Sequence, residues 1–108
     1  IRRHAPSEAS VENVFVSKNA ATALKLGQAR GAALAACSVA GLAVYSYEPT
    51  VIKQSHVGTG RAEKTQVAFR VTRVLACRET FAVDATDALA AAVCHLNQRR
   101  MTRLCGAR

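Results

Sequence analysis

Asp84 and Asp87 stand three residues apart, a spacing that puts both carboxylates on one face of the first turn of a helix. Two carboxylates so placed can share a hard divalent cation such as Mg2+, which prefers oxygen ligands and keeps several of its waters. The same pair is also ordinary at a helix start, where negative charge complements the macrodipole. Glu12 adds a third acid, set in a β-prone run over residues 10–16 that carries Val11, Val14, Phe15 and Val16. An acid within an apolar strand is costly to bury unless a cation pairs with it. A metal would meet that need, and an edge strand that leaves Glu12 in water would remove it. Lys53 and Lys64, taken by themselves, read as surface cations. Phe15, a phenylalanine in an apolar run, reads by default as core. Residues 58–65 end in Lys-Thr, but Glu63 occupies the place where a phosphate-binding loop requires glycine. His95 falls beyond the acids on the same predicted helix and reads as a cap or surface residue.

Six segments must position these groups. After the strand, Ser17, Lys18 and Asn19 supply turn and cap chemistry for a long helix over residues 20–40, ended by Gly41. Gly27, Gly31 and Ala35 recur every four residues along it. That face has almost no side chains, so it can lie close to the domain's own sheet or to another subunit. Residues 42–47 read as a second strand. Glu48-Pro49 breaks the pattern, and residues 50–57 form a short helix or an irregular segment that stops at the Gly58-Thr59-Gly60 turn. Val67, Val71, Val74 and Leu75 predict a helix over 62–75. Ala88, Leu89, Ala92, Val93 and Leu96 predict the last helix, over 84–98. Residues 99–108, with Arg99, Arg100, Arg103 and Arg108, read as a basic tail free to touch phosphate nonspecifically. At the other end, Arg2, Arg3 and His4 before Pro6 look like the last turn of a helix that begins upstream of Ile1.

The totals agree with a single domain: 108 residues, half of them apolar but only 5% aromatic. Fifteen Lys and Arg against seven Asp and Glu give a net charge of +8, which favours a polyanionic partner and excludes an acidic solvating segment. Cys37, Cys77, Cys94 and Cys105 make no C-x-x-C pair, so they are expected to be reduced and structural, in a cytoplasmic protein. The longest uncharged run, residues 31–47, is too rich in Gly, Ala and Ser to span a membrane.

Four segments together resemble the RuvC family of bacterial Holliday-junction resolvases. They are Ser10-Val11-Glu12-Asn13-Val14-Phe15, Ala23 through Gly31 (ALKLGQARG), Val51-Ile52-Lys53-Gln54 with Gly58 through Lys64, and Asp84-Ala85-Thr86-Asp87-Ala88-Leu89-Ala90 through His95. The resemblance implies an α/β, ribonuclease-H-like mixed sheet flanked by helices, here without its N-terminal strands, over residues 1–98. It implies that Glu12, Asp84 and Asp87 are three of four acids that hold Mg2+, with Mn2+ able to substitute. The fourth belongs to an Asp-Pro-Gly type motif that these residues lack, so the fragment alone is expected to be inactive. It further implies that Phe15, Lys53 and Lys64 contact DNA, that the substrate is a four-way junction cut by a homodimer, and that RuvA and RuvB are partners. The competing expectation is a noncatalytic nucleic-acid-binding or assembly protein that keeps a degenerate form of this fold.

Overall fold

The structure, a computed structural model, describes residues 1–13, 19–58, 64–77 and 81–106. Strand β1 (Glu8–Glu12) leads through helix α1 (Ala20–Val39) to strand β2 (Ala43–Tyr47), and three helices follow: α2 (Pro49–Val57), α3 (Lys64–Val74) and α4 (Val83–Leu104). β1 and β2 pair in parallel, Glu8 opposite Ala43 and Glu12 opposite Tyr47. Parallel neighbours need a crossover, and α1 supplies it. The strand expected at 10–16 starts earlier, because its pairing with β2 begins at Glu8; residues 14–18 lie outside the described part.

Local chemistry sets the helix ends. The Asn19 side chain accepts a 2.8 Å hydrogen bond from the Ala21 amide, satisfying one of the unpaired donors of the first turn. At the other end Gly41 adopts φ +77°, and the Gly41 and Leu42 amides bond back to Ser38 and Cys37 carbonyls at 3.0 and 2.9 Å, the paired closure of a Schellman motif. Pro49 opens α2 at the one place where its missing amide costs nothing, which settles residues 50–57 as helical. Gly58, at φ +81°, ends it.

Period two divides β1 into two faces. Ser10 and Glu8 face α4: the Ser10 hydroxyl donates to the Ala91 carbonyl at 2.7 Å, and the Glu8 carboxylate lies 2.7 Å from His95 Nε2 and 3.5 Å from Arg99. Asn13 and Ser46 face the other way, where Arg30 of α1 donates to both side chains. α4 therefore crosses β1 in antiparallel register. Two residues of strand advance about 6.6 Å and four residues of helix about 6 Å, so Glu8 and Ser10 meet His95 and Ala91 in step.

This register overturns two expectations for α4. His95, expected at the surface, is buried at 7% exposure. Its Nδ1 lies 2.6 Å from the Tyr47 hydroxyl, and the Tyr45 ring stacks on it with centroids 4.4 Å apart. With the Glu8 carboxylate able only to accept, Nε2 carries a proton and donates to it, while Nδ1 and the Tyr47 hydroxyl share the second hydrogen bond. The residues turned inward on α4 are Ala90, Ala91, Val93, Cys94 and His95, whereas Leu96 is 58% exposed. Small side chains face inward because the helix lies close to the strands on one flank and to α2 and α3 on another. The helix also continues to Leu104, so Arg99, Arg100 and Arg103 are helical and Arg99 is tethered to Glu8.

The core is small: Ile52, Val67, Val71, Ala90, Ala91 and Cys94, with Tyr47, Val51 and Leu89 packed against it. It joins α2, α3 and α4. All four cysteines are free, and Cys94 is fully buried; burial pushes its thiol pKa up. α1 buries no residue among those described. A Cβ added at Gly27 or Gly31 would meet nothing within 4 Å, so the smooth face is not the one that packs on the described strands. No helix of the described residues is long and apolar enough to cross a membrane.

Two measurements check this architecture in the full-length protein. Val71, with no exposed surface, loses two carbons on Val71→Ala, and unfolding should become easier by about 2 kcal/mol from lost burial and the cavity left behind. The hydrogen bond from His95, aided by the charge of Arg99, holds the Glu8 carboxyl below its usual value of 4.5 against the opposing effect of desolvation. A depressed carboxyl stabilises the fold fully above its unfolded pKa and loses that contribution as pH falls through its folded value. Glu8→Gln should therefore lower the melting temperature at neutral pH, and its melting curve should converge with that of the unaltered protein below about pH 4.5. Curves that stay parallel into acid would remove Glu8 from this role.

Candidate metal and phosphate cleft

The next step of the β1 and α4 register, after Glu8 with His95 and Ser10 with Ala91, brings Glu12 level with Asp87. Both line a single cleft with Pro49, Ile52, Lys53, Val67, Thr86 and Ala90. Four elements contribute to it: β1 supplies Glu12, α2 Lys53, α3 Val67 and α4 Asp87. Glu12, Lys53, Thr86 and Asp87 are all half-buried, so the charges stand where water screens them less than at the open surface. Glu12 is thus neither sealed in the core nor on a fully wet edge. The walls contributed by Ile52, Val67 and Ala90 are core residues, which fixes the floor of the cleft.

Asp84 lies one turn earlier on α4 and is exposed; it does not line the cleft. It stands in the first turn of a helix whose N-cap residue, Ala82, offers no side-chain cap, so its charge also serves the helix terminus. Among the described residues no three His, Cys, Asp or Glu side chains are grouped closely enough to hold a metal ion. Of the three predicted acids, then, two converge. Lys53 joins them, Lys64 is the first residue of α3 with its side chain outside the described part, and Phe15 lies outside it altogether.

The groups that converge form a hard donor set. Two carboxylate side chains without thiol or imidazole suit Mg2+ or another oxygen-preferring cation, and the adjacent ammonium suits a phosphate oxygen. Spacing on α4 could be read from the sequence. The proximity of Lys53 could not, since it depends on α2 folding back across α4.

A family model described as crossover junction endodeoxyribonuclease RuvC matches residues 1–95. The chain is 89% identical over 108 residues to the crossover junction endodeoxyribonuclease RuvC of Solidesulfovibrio magneticus, and 64% identical over 104 residues to that of Oleidesulfovibrio alaskensis. It spans 64% and 63% of the lengths of those relatives, somewhat under two thirds. Among solved structures, Thermus thermophilus RuvC in complex with Holliday junction substrate superposes with a TM-score of 0.86 at 38% identity, over 93% of this chain and 61% of that one. Another structure of Thermus thermophilus RuvC gives 0.82, over 92% and 60%. The expected ribonuclease-H-like α/β architecture therefore holds, and the helices that frame the Glu12 and Asp87 cleft are those of a known fold. The chain belongs to the RuvC family of crossover junction endodeoxyribonucleases.

Proposed function

We propose that the protein to which this chain belongs is a metal-dependent endonuclease that nicks strands of four-way DNA junctions, acting in the cytoplasm on DNA under recombination or repair. The observation that carries this reading is the convergence of Glu12, Asp87 and Lys53 on one cleft, in a fold shared with a relative solved on a Holliday junction. Glu12 and Asp87 would hold Mg2+, or Mn2+ in its place, and Asp84 would join them as a further ligand or as a charge at the rim. The chemistry such a cation supplies is Lewis acidity at a phosphodiester and easier ionisation of water.

The chain's own residues do the rest. Strand β1 and helix α4 fix the separation of the two carboxylates, because neither can slide without breaking the Ser10 and Glu8 contacts. Lys53 neutralises a phosphate next to the cut, and Lys64 and Phe15 extend the contact, the first to phosphate and the second to an unpaired base. A homodimer suits two related nicks in a two-fold substrate, and the bare Gly27, Gly31 and Ala35 face of α1 is available for that contact. RuvA and RuvB would deliver the junction.

The test uses the full-length protein and a synthetic four-way junction. Asp87→Asn and Glu12→Gln should each reduce Mg2+- or Mn2+-dependent cleavage by roughly 100-fold or more while junction binding without divalent metal persists. Undiminished cutting by either variant would remove that carboxylate from the site, and the same measurement on Asp84→Asn decides its membership. Lys53→Gln should weaken binding across sequences and reduce the dependence of log affinity on log salt by about one. An unchanged slope would free Lys53 from phosphate contact.

A further inference from the structure

Helix α3 has a second face that the cleft does not use. Val67 and Val71 point into the core, whereas Gln66, Phe69, Arg70 and Arg73 follow one another at the three- and four-residue spacing of a single helical stripe. All four are exposed. Phe69 is 65% exposed, too much for a ring that serves the core, and the Arg73 guanidinium lies over it at 5.6 Å from the centroid. Gln66, Phe69 and Arg70 line a groove with Thr65 of the same helix and with His56 and Val57 of α2. At the groove His56 is buried; its Nε2 donates to the Ala90 carbonyl at 2.9 Å, and its Nδ1 has no hydrogen-bond partner among the described residues.

The charge of the helix identifies the occupant. α3 contains no acid, and its exposed Arg70 and Arg73 flank one solvent-facing ring. A protein partner covering Phe69 would have to bury or pair both guanidinium groups, which is costly without matching carboxylates. A strand of nucleic acid meets both demands at once, with phosphates for the arginines and a base face for the ring. The groove lies one turn farther along α2 than Lys53, from Ile52 and Lys53 at the cleft to His56 and Val57 here. A strand entering the cleft can therefore continue along α3.

We infer that the Gln66, Phe69, Arg70 and Arg73 stripe is a DNA-strand contact outside the cleavage cleft, in which Phe69 stacks an unstacked base and Arg70 and Arg73 hold the flanking phosphates. The inference rests on the nuclease reading only for the choice of DNA as the polymer. Fluorescence anisotropy of the full-length protein tests it, with a labelled four-way junction and a labelled single-stranded oligonucleotide, both without divalent metal. Phe69→Ala should weaken binding about 5- to 150-fold and Phe69→Tyr should restore it. The double variant Arg70→Gln/Arg73→Gln should lower the salt slope by roughly two. Wild-type affinity and slope in these variants, while Lys53→Gln still weakens binding, would overturn the stripe and leave the cleft standing. Normal DNA binding with a changed sedimentation coefficient would also overturn it, by giving the surface to a protein contact. Failure of the unaltered protein to bind either DNA would sink both readings together.

Discussion

The contact between β1 and α4 organises the molecule. A strand that advances about 3.3 Å per residue and a helix that advances about 1.5 Å per residue stay in step when every second strand residue meets every fourth helix residue. Glu8, Ser10 and Glu12 are such a series, and His95, Ala91 and Asp87 are its counterpart. At one end the pairing is a closed hydrogen-bond relay from Tyr47 through His95 to Glu8; in the middle a hydroxyl reaches a backbone carbonyl; at the other end two carboxylates open into a cleft. The first two contacts are satisfied internally and hold the register. The third borders the cleft, and the register, set elsewhere, does not depend on it.

Polar residues facing a helix across a strand are unusual, and the consequence shows in the core. Its buried side chains come from α2, α3 and α4, with the strands contributing Tyr47 at its margin. Hydrogen bonds specify how α4 lies on β1, and apolar contacts fix how α2 and α3 lie on α4. On the opposite face of the strands the same division holds on a smaller scale. Arg30 of α1 joins Asn13 and Ser46, and Asn13 in turn donates to Glu48 at 3.2 Å. A polar clamp there positions the residues immediately after Glu12 and before α2. Both chain segments that enter the cleft are thus anchored from behind.

How far the sequence discloses this depends on range. Helix ends set by Asn19, Gly41, Pro49 and Gly58 are local chemistry and can be read directly, as can the shared face of Asp84 and Asp87. The buried stripe of α4 cannot, because alanines and a histidine turn inward only when strands lie close above them, and hydrophobic periodicity gives Leu96 the better claim. His95 is the clearest case. Its partners Glu8 and Tyr47 are 87 and 48 residues away, and no spacing rule connects groups across such intervals. Arg99 looked like a solvated tail for the same reason, since its partner is also Glu8. Family resemblance supplied Glu12 as a companion of the helix acids, but their unequal depth, Asp87 half-buried in the cleft and Asp84 exposed, follows from where α4 begins relative to α2.

The distribution of charge then explains how a chain with a net charge of +8 could present carboxylates to the polyanion proposed as its substrate. Of its five described acids, four are committed to specific positions: Glu8 to His95 and Arg99, Glu48 to Asn13, Glu12 and Asp87 to the cleft. Its described cations are mostly outside, with Arg70, Arg73, Arg100 and Arg103 all exposed. Attraction acts over roughly a Debye length and is set by the exposed excess, so under the proposed function a DNA strand would be drawn to the surface as a whole. Repulsion from the two cleft carboxylates is felt only at close approach, where a bound cation can reverse it. Under the proposed function, nonspecific capture by a broad positive surface and a local acidic gap that would take a metal are complementary, and each would be weakened if the acids were spread evenly over the surface.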